Sequence, residues 1–93
     1  MFKVELLAKE IYNVWFEYIK NDNGNPYATV CVLEDTSTGK QYEALAVCHH
    51  NDSFRRTTGR KTALKYALNH PDLFFNKDIK TLFWQEYLKT HKV

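Results

Sequence analysis

PYATVCVLEDTSTGKQYEALAVC, residues 26–48, is the stretch whose reading decides the fold. Residues 26–34 and 40–48 are β-branched and apolar runs, and the DTSTG between them is rich in turn formers. The spacing predicts an antiparallel hairpin. Pairing Leu33 with Tyr42 puts Thr29, Cys31, Ala44 and Ala46 on one face and Val30, Val32, Leu45 and Val47 on the other. The second, more apolar face is expected to be the core side.

Upstream, residues 2–20 admit two readings. As strands, Phe2, Val4, Leu6 and Ala8 alternate with charged residues, and Val14, Phe16 and Tyr18 alternate with Trp15, Glu17 and Ile19. As a helix, Leu7, Ile11, Val14, Trp15 and Tyr18 share one stripe. The density of Val, Ile, Tyr, Phe and Trp favours two strands turning around Tyr12 and Asn13. Residues 21–26, NDNGNP, form a turn.

Downstream the period changes. A helix is expected from an N-cap at Asp52 or Ser53 to Asn69, ending before Pro71. Asp78 caps a second helix, whose stripe is Ile79, Leu82, Phe83 and Tyr87. The fold class is therefore α+β: a small antiparallel sheet of three to four strands packed by two C-terminal helices. Ninety-three residues, with no repeat, linker or low-complexity tract, make one domain with a single small core.

Composition narrows the function. The mean hydropathy is −0.53, and no apolar run approaches the ~20 residues of a membrane span. Charges interrupt MFKVELLAKEIY within three residues, which is not a signal peptide, so a cytoplasmic location is expected. Cys31 and Cys48 read as reduced, buried thiols, since a small secreted domain would carry a denser disulfide framework. The net charge of +2 conceals a polarity: residues 1–52 carry four lysines against eight acids, and residues 53–93 carry nine Lys/Arg against three. Salt bridges between the halves account for this, as does a dipolar surface whose basic end meets an anion.

That basic end is SFRRTTGRKTALKYALNHP, residues 53–71. At 100° per residue, Arg56 and Arg60 share an arc with Ala63, Leu64, Ala67 and Leu68. Arg55 and Lys65 lie opposite, with Lys61 at the edge. Arg56 and Arg60 then aim at the sheet or just past its rim. An inward arginine needs a partner, for which Glu5, Glu17 and Glu43 are candidates, making Arg60 a structural clamp. Arg55, Lys61 and Lys65 are left to contact a partner or phosphates. Gly59 costs about 1 kcal/mol against alanine within a helix, which suits a close approach there.

Other chemistry finds little material. His49 and His50 are adjacent, so a strand end would point them to opposite faces. Cys31, Cys48, His70 and His91 complete no zinc set, and no metal site is expected. Cys48 beside His49 is not a dyad for the same reason. Three glycines offer no phosphate-cradling loop, so neither a cofactor nor enzymatic activity is expected. The aromatics Phe74, Phe75, Phe83, Trp84 and Tyr87 read mostly as core. Trp84 falls off the helical stripe, either as an exposed partner anchor or packed over Phe74 or Phe75.

The blocks HNDSFRRTTGRKTALKYALN and KDIKTLFWQEYLKTHK resemble a group of small early-type proteins encoded by tailed bacteriophages. These pair a hairpin with a helix opening on a Gly-Arg step and a second helix bearing Trp and Tyr. The resemblance implies a non-enzymatic protein that inhibits or redirects a host or defence protein or nucleoprotein complex in the host cytoplasm. The hairpin followed by a basic helix start also resembles the C-terminal half of a double-stranded-RNA-binding domain. That likeness would give Arg60, Lys61 and Lys65 phosphate contacts and make the chain a nucleic-acid-binding module. The long HHNDSFRR passage and the missing first helix depart from it.

Overall fold

A computed structural model describes residues 1–6, 9–48 and 55–90. Four strands, β1 (Phe2–Glu5), β2 (Ile11–Lys20), β3 (Pro26–Asp35) and β4 (Gln41–Val47), precede two helices, α1 (Arg56–Leu68) and α2 (Lys77–Thr90). The strands form one antiparallel sheet in the order β1-β2-β3-β4, and both helices pack on the same face of it. The fold is α+β.

The hairpin register is Leu33 opposite Tyr42, as the sequence predicts. Its loop is held by Asp35, whose Oδ1 accepts from the Ser37 amide (3.0 Å) and hydroxyl (2.7 Å). Gly39 donates to the Asp35 carbonyl from φ +75°, where a side chain would be strained. In the β2–β3 turn, Asn21 Oδ1 accepts from the amides of Asn23 and Asn25.

Phe2–Glu5 and Ile11–Lys20 are strands, but the turn is not at Tyr12 and Asn13. Those two residues lie in β2 opposite Val4 and Lys3, and the chain reverses earlier, where the Leu6 amide donates to the Glu10 carbonyl. The expected caps also shift. Arg55 is the N-cap of α1 and makes no side-chain capping bond, so the helix begins too late for Asp52 or Ser53, which lie outside the described residues. Asn76, not Asp78, caps α2: its Oδ1 accepts from the Ile79 amide at 2.9 Å. Asp78 sits in the first turn, where its charge complements the helix dipole.

The core reverses one expectation. Phe2, Val4, Tyr12, Val14, Cys31, Leu33 and Ala46 face the helices and are buried against Ala63, Leu64, Ala67, Leu68, Phe83 and Tyr87. Thus the Thr29–Cys31–Ala44–Ala46 face is the core side, and the Val30–Val32–Leu45–Val47 face is not. Small residues meet small residues here, Ala44 and Ala46 against a helix bearing Ala63 and Ala67, which lets α1 approach closely. Under α2 the packing is aromatic: Tyr12 meets Phe83 and Phe75 edge-on at 5.8 and 5.4 Å, and Tyr87 meets Phe2 and Phe16. Phe74 is the exception among the expected core aromatics, at 92% exposure.

Candidate functional site

Strand alternation and the strand register fix the composition of the face on which neither α1 nor α2 packs. Read across β2, β3 and β4 it has four rows: Asn13–Glu34–Gln41, Trp15–Val32–Glu43, Glu17–Val30–Leu45 and Ile19–Ala28–Val47. The first row is a polar ladder. Glu34 accepts from Asn13 Nδ2 at 3.2 Å and from Gln41 Nε2 at 3.1 Å, using both carboxylate oxygens. The other three rows form an apolar patch flanked by carboxylates. Leu45 is 48% and Val47 60% exposed, while Trp15, Val30 and Ile19 are half-buried. Val32, between Trp15 and Glu43, is fully shielded.

An exposed valine or leucine alone needs no explanation, but contiguous apolar surface rimmed by charge makes this face the candidate site. Val30, Val32, Leu45 and Val47 are the residues the sequence pattern assigns to the core, and of those four only Val32 is buried. The signal that identifies them lies in their neighbours: Thr29, Cys31, Ala44 and Ala46 match the small stripe of α1, leaving the larger side chains for the outside.

The basic helix lies on the other side of the molecule. Arg55, Lys61 and Lys65 are exposed. The Arg56 guanidinium stacks 5.0 Å from the centroid of the Tyr18 ring, a cation–π contact at the sheet rim. Arg60 Nη1 donates to Tyr18 Oη at 2.9 Å. Burial works against the Arg60 charge, but the phenol oxygens of Tyr18 and Tyr87 beside it hold its pKa above the ordinary arginine value. The expected carboxylate partners are not there. Glu5, Glu17 and Glu43 occupy alternate positions facing away from the helices, and among the described residues none of them pairs with Arg60. A phenol serves instead.

Trp84 is half-buried against the core and meets Tyr87 edge-on at 5.8 Å, so it does not pack over Phe74, which is exposed. Lys80 is drawn to Asn69 Oδ1 at the end of α1. The candidate residues therefore separate: Arg55, Lys61 and Lys65 share the outer helical surface, while Arg56 and Arg60 converge on Tyr18 and Trp84 joins the core.

Cys31 is buried and Cys48 partly so, and no disulfide joins them; burial pushes the Cys31 thiol up to about 12. Among the described residues no three His, Cys, Asp or Glu side chains gather as metal ligands, and His49, His50 and His91 lie outside those residues. A shallow depression bordered by Lys3, Glu5, Ile11 and Glu86 lies at the β1 edge. No helix among the described residues is long and apolar enough to cross a membrane. What the fold and this surface define is an α+β chain in which, among the described residues, both helices pack on one face of the sheet and none on the other. Comparisons with protein-family models, curated proteins and solved structures find no match.

Proposed function

We propose that this chain is a non-enzymatic binding protein that docks on a host or defence protein, or on a nucleoprotein complex, through the uncovered face of its sheet. The observation that carries this reading is the apolar patch of Trp15, Val30, Leu45 and Val47, over which neither α1 nor α2 packs and where Leu45 and Val47 are exposed. Protein interfaces are built from such patches, an apolar centre within a polar rim. The resemblance to small phage proteins supplies the setting, an infected bacterial cell.

A second reading keeps the outer surface of α1 for phosphates. It is favoured by three exposed cations, Arg55, Lys61 and Lys65, on a helix with no acid in its first turn. One experiment separates the two. Affinity capture from bacterial lysate, with and without nuclease, compares the wild type with Leu45→Thr/Val47→Thr and with Lys61→Glu/Lys65→Glu. The first reading expects a salt-resistant, nuclease-resistant protein that the sheet variant loses and the helix variant keeps. Retention of nucleic acid alone, abolished by the helix variant, sinks it in favour of the second.

A further inference from the structure

We infer that the uncovered sheet face takes a basic amphipathic α-helix of a partner protein, laid along β3. This rests on the reading of that face as the docking surface and adds the chemistry of its occupant. Among the strand residues, four glutamates, Glu5, Glu17, Glu34 and Glu43, face this side against one cation, Lys3. They are not equivalent. Glu34 is engaged by Asn13 and Gln41 and closes one end of the patch. Glu17 and Glu43 are exposed, and among the described residues neither carboxylate makes a hydrogen bond or ion pair.

Their placement sets the shape of the partner. Glu17 stands on β2 and Glu43 on β4, with Val30 and Val32 of β3 between them. Two strand spacings separate β2 from β4, about 10 Å. A helix with its side chains is about 10–12 Å across. Such a helix rests its apolar stripe on Trp15, Val30 and Leu45, with Val32 shielded beneath them, and reaches a carboxylate on each side. The two glutamates lie in adjacent rows, about 7 Å apart along the strands, a little more than one helical turn of ~5.4 Å. Cationic side chains on the two flanks, offset by one turn, match them. Duplex nucleic acid is the wrong occupant, because its phosphates would meet carboxylates.

A second copy of this chain also fits poorly. The outside of α1 is basic, but its apolar stripe, Ala63, Leu64, Ala67 and Leu68, is already buried under the sheet. Docking it on a neighbour's sheet would also be head-to-tail, a contact that builds rings or open filaments rather than a two-fold dimer.

The test titrates the full chain with two model peptides of about four helical turns. They share one leucine stripe, flanked in one by Lys and Arg and in the other by Glu. Amide chemical-shift mapping locates the site. The inference expects the basic peptide to bind at least about tenfold tighter, a difference of ~1.4 kcal/mol. Shifts should centre on β3 and β4, and the preference should narrow at high salt. Glu17→Lys/Glu43→Lys should reverse the order, while Glu17→Gln/Glu43→Gln should level it. Equal binding of both peptides, shifts confined to α1, or concentration-dependent self-association that protects β3 and β4 would each overturn it. If neither peptide binds while Leu45→Thr/Val47→Thr still loses the lysate partner, the docking face stands and the basic helix falls.

Discussion

At the scale of single residues, Tyr18 is the pivot between sheet and basic helix. Its ring underlies Arg56 and its hydroxyl accepts from Arg60. Tyr18→Phe keeps the ring and removes the acceptor. A hydrogen bond to a charged group contributes ~1.5–3 kcal/mol when buried; Arg60 retains some water contact, so a loss of about 1–2 kcal/mol is expected in urea unfolding. Arg60→Met in the same background should cost less than the sum of the two single changes, because no donor is then stranded. The clamp was legible in the helical spacing; its partner was not, since that depends on which strand face each side chain occupies. Alkaline pH gives a second prediction. Burial raises Cys31 from 9.0 to about 12; burial, aided by Asp35 and Glu10, raises Tyr12 from 10.0 to about 12. Their neutral forms are favoured in the folded state. Stability is therefore full below pH 9 and declines between about pH 9 and 12, as unfolding releases these protons, by up to ~1.4 kcal/mol per pH unit per group. Cys31→Ala and Tyr12→Phe should each flatten this decline in unfolding curves taken across that range, whatever they do at neutral pH.

At the scale of elements, the two faces of the β3–β4 hairpin explain what the sequence shows and what it hides. Register is fixed by Leu33 opposite Tyr42, and alternation then assigns every side chain to one of two faces. Which face is buried is a different question, and intrinsic hydrophobicity answers it wrongly here. Val30, Leu45 and Val47 are more apolar than Thr29, Ala44 and Ala46. The helix that covers the hairpin, however, has Ala63 and Ala67 on its inner side and needs small partners. Complementarity between distant elements decided the matter, and a local pattern does not contain it. The same cause hid the candidate docking surface, because its residues had been assigned to the core. Ala67→Leu tests the assignment: forcing a larger side chain between α1 and the sheet should cost about 1–3 kcal/mol. Leu45→Thr on the uncovered face should change stability by less than about 0.5 kcal/mol. Comparable losses from both would mean that Leu45 is covered. The first turn of α1 has its own signature. Arg55 and Arg56 stand at the positive end of the helix dipole with no side-chain cap, which disfavours them locally. Arg55→Ser, supplying a capping hydroxyl, should stabilise the chain by about 0.5–1 kcal/mol in thermal unfolding.

At the scale of the whole molecule, the charge polarity of the sequence becomes a polarity across two layers. The sheet layer holds the acidic half and the helical layer the basic half. The ion pair at 3.2 Å, Glu86 to Lys89, is internal to α2, so among the described residues it leaves the charges of the two layers unpaired. The layers therefore present opposite potentials, and ionic strength separates their functions. If α1 binds duplex DNA, it does so through Arg55, Lys61 and Lys65, with Arg56 and Arg60 held at Tyr18. Three phosphate contacts give a slope of log affinity against log salt of about −2.7, hence a loss of roughly 40-fold between 50 and 200 mM salt. Fluorescence anisotropy with labelled duplex measures this directly. A slope near −4.5 would mean that all five cations reach phosphate and that the Tyr18 contacts give way on binding. Docking at the sheet face is different, because apolar burial supplies its affinity and only Glu17 and Glu43 add a screened term. Over the same salt range its affinity should fall only a few-fold. A partner whose binding collapses with the steep slope belongs to the helical layer, whatever its identity, and one that survives 200 mM salt belongs to the sheet.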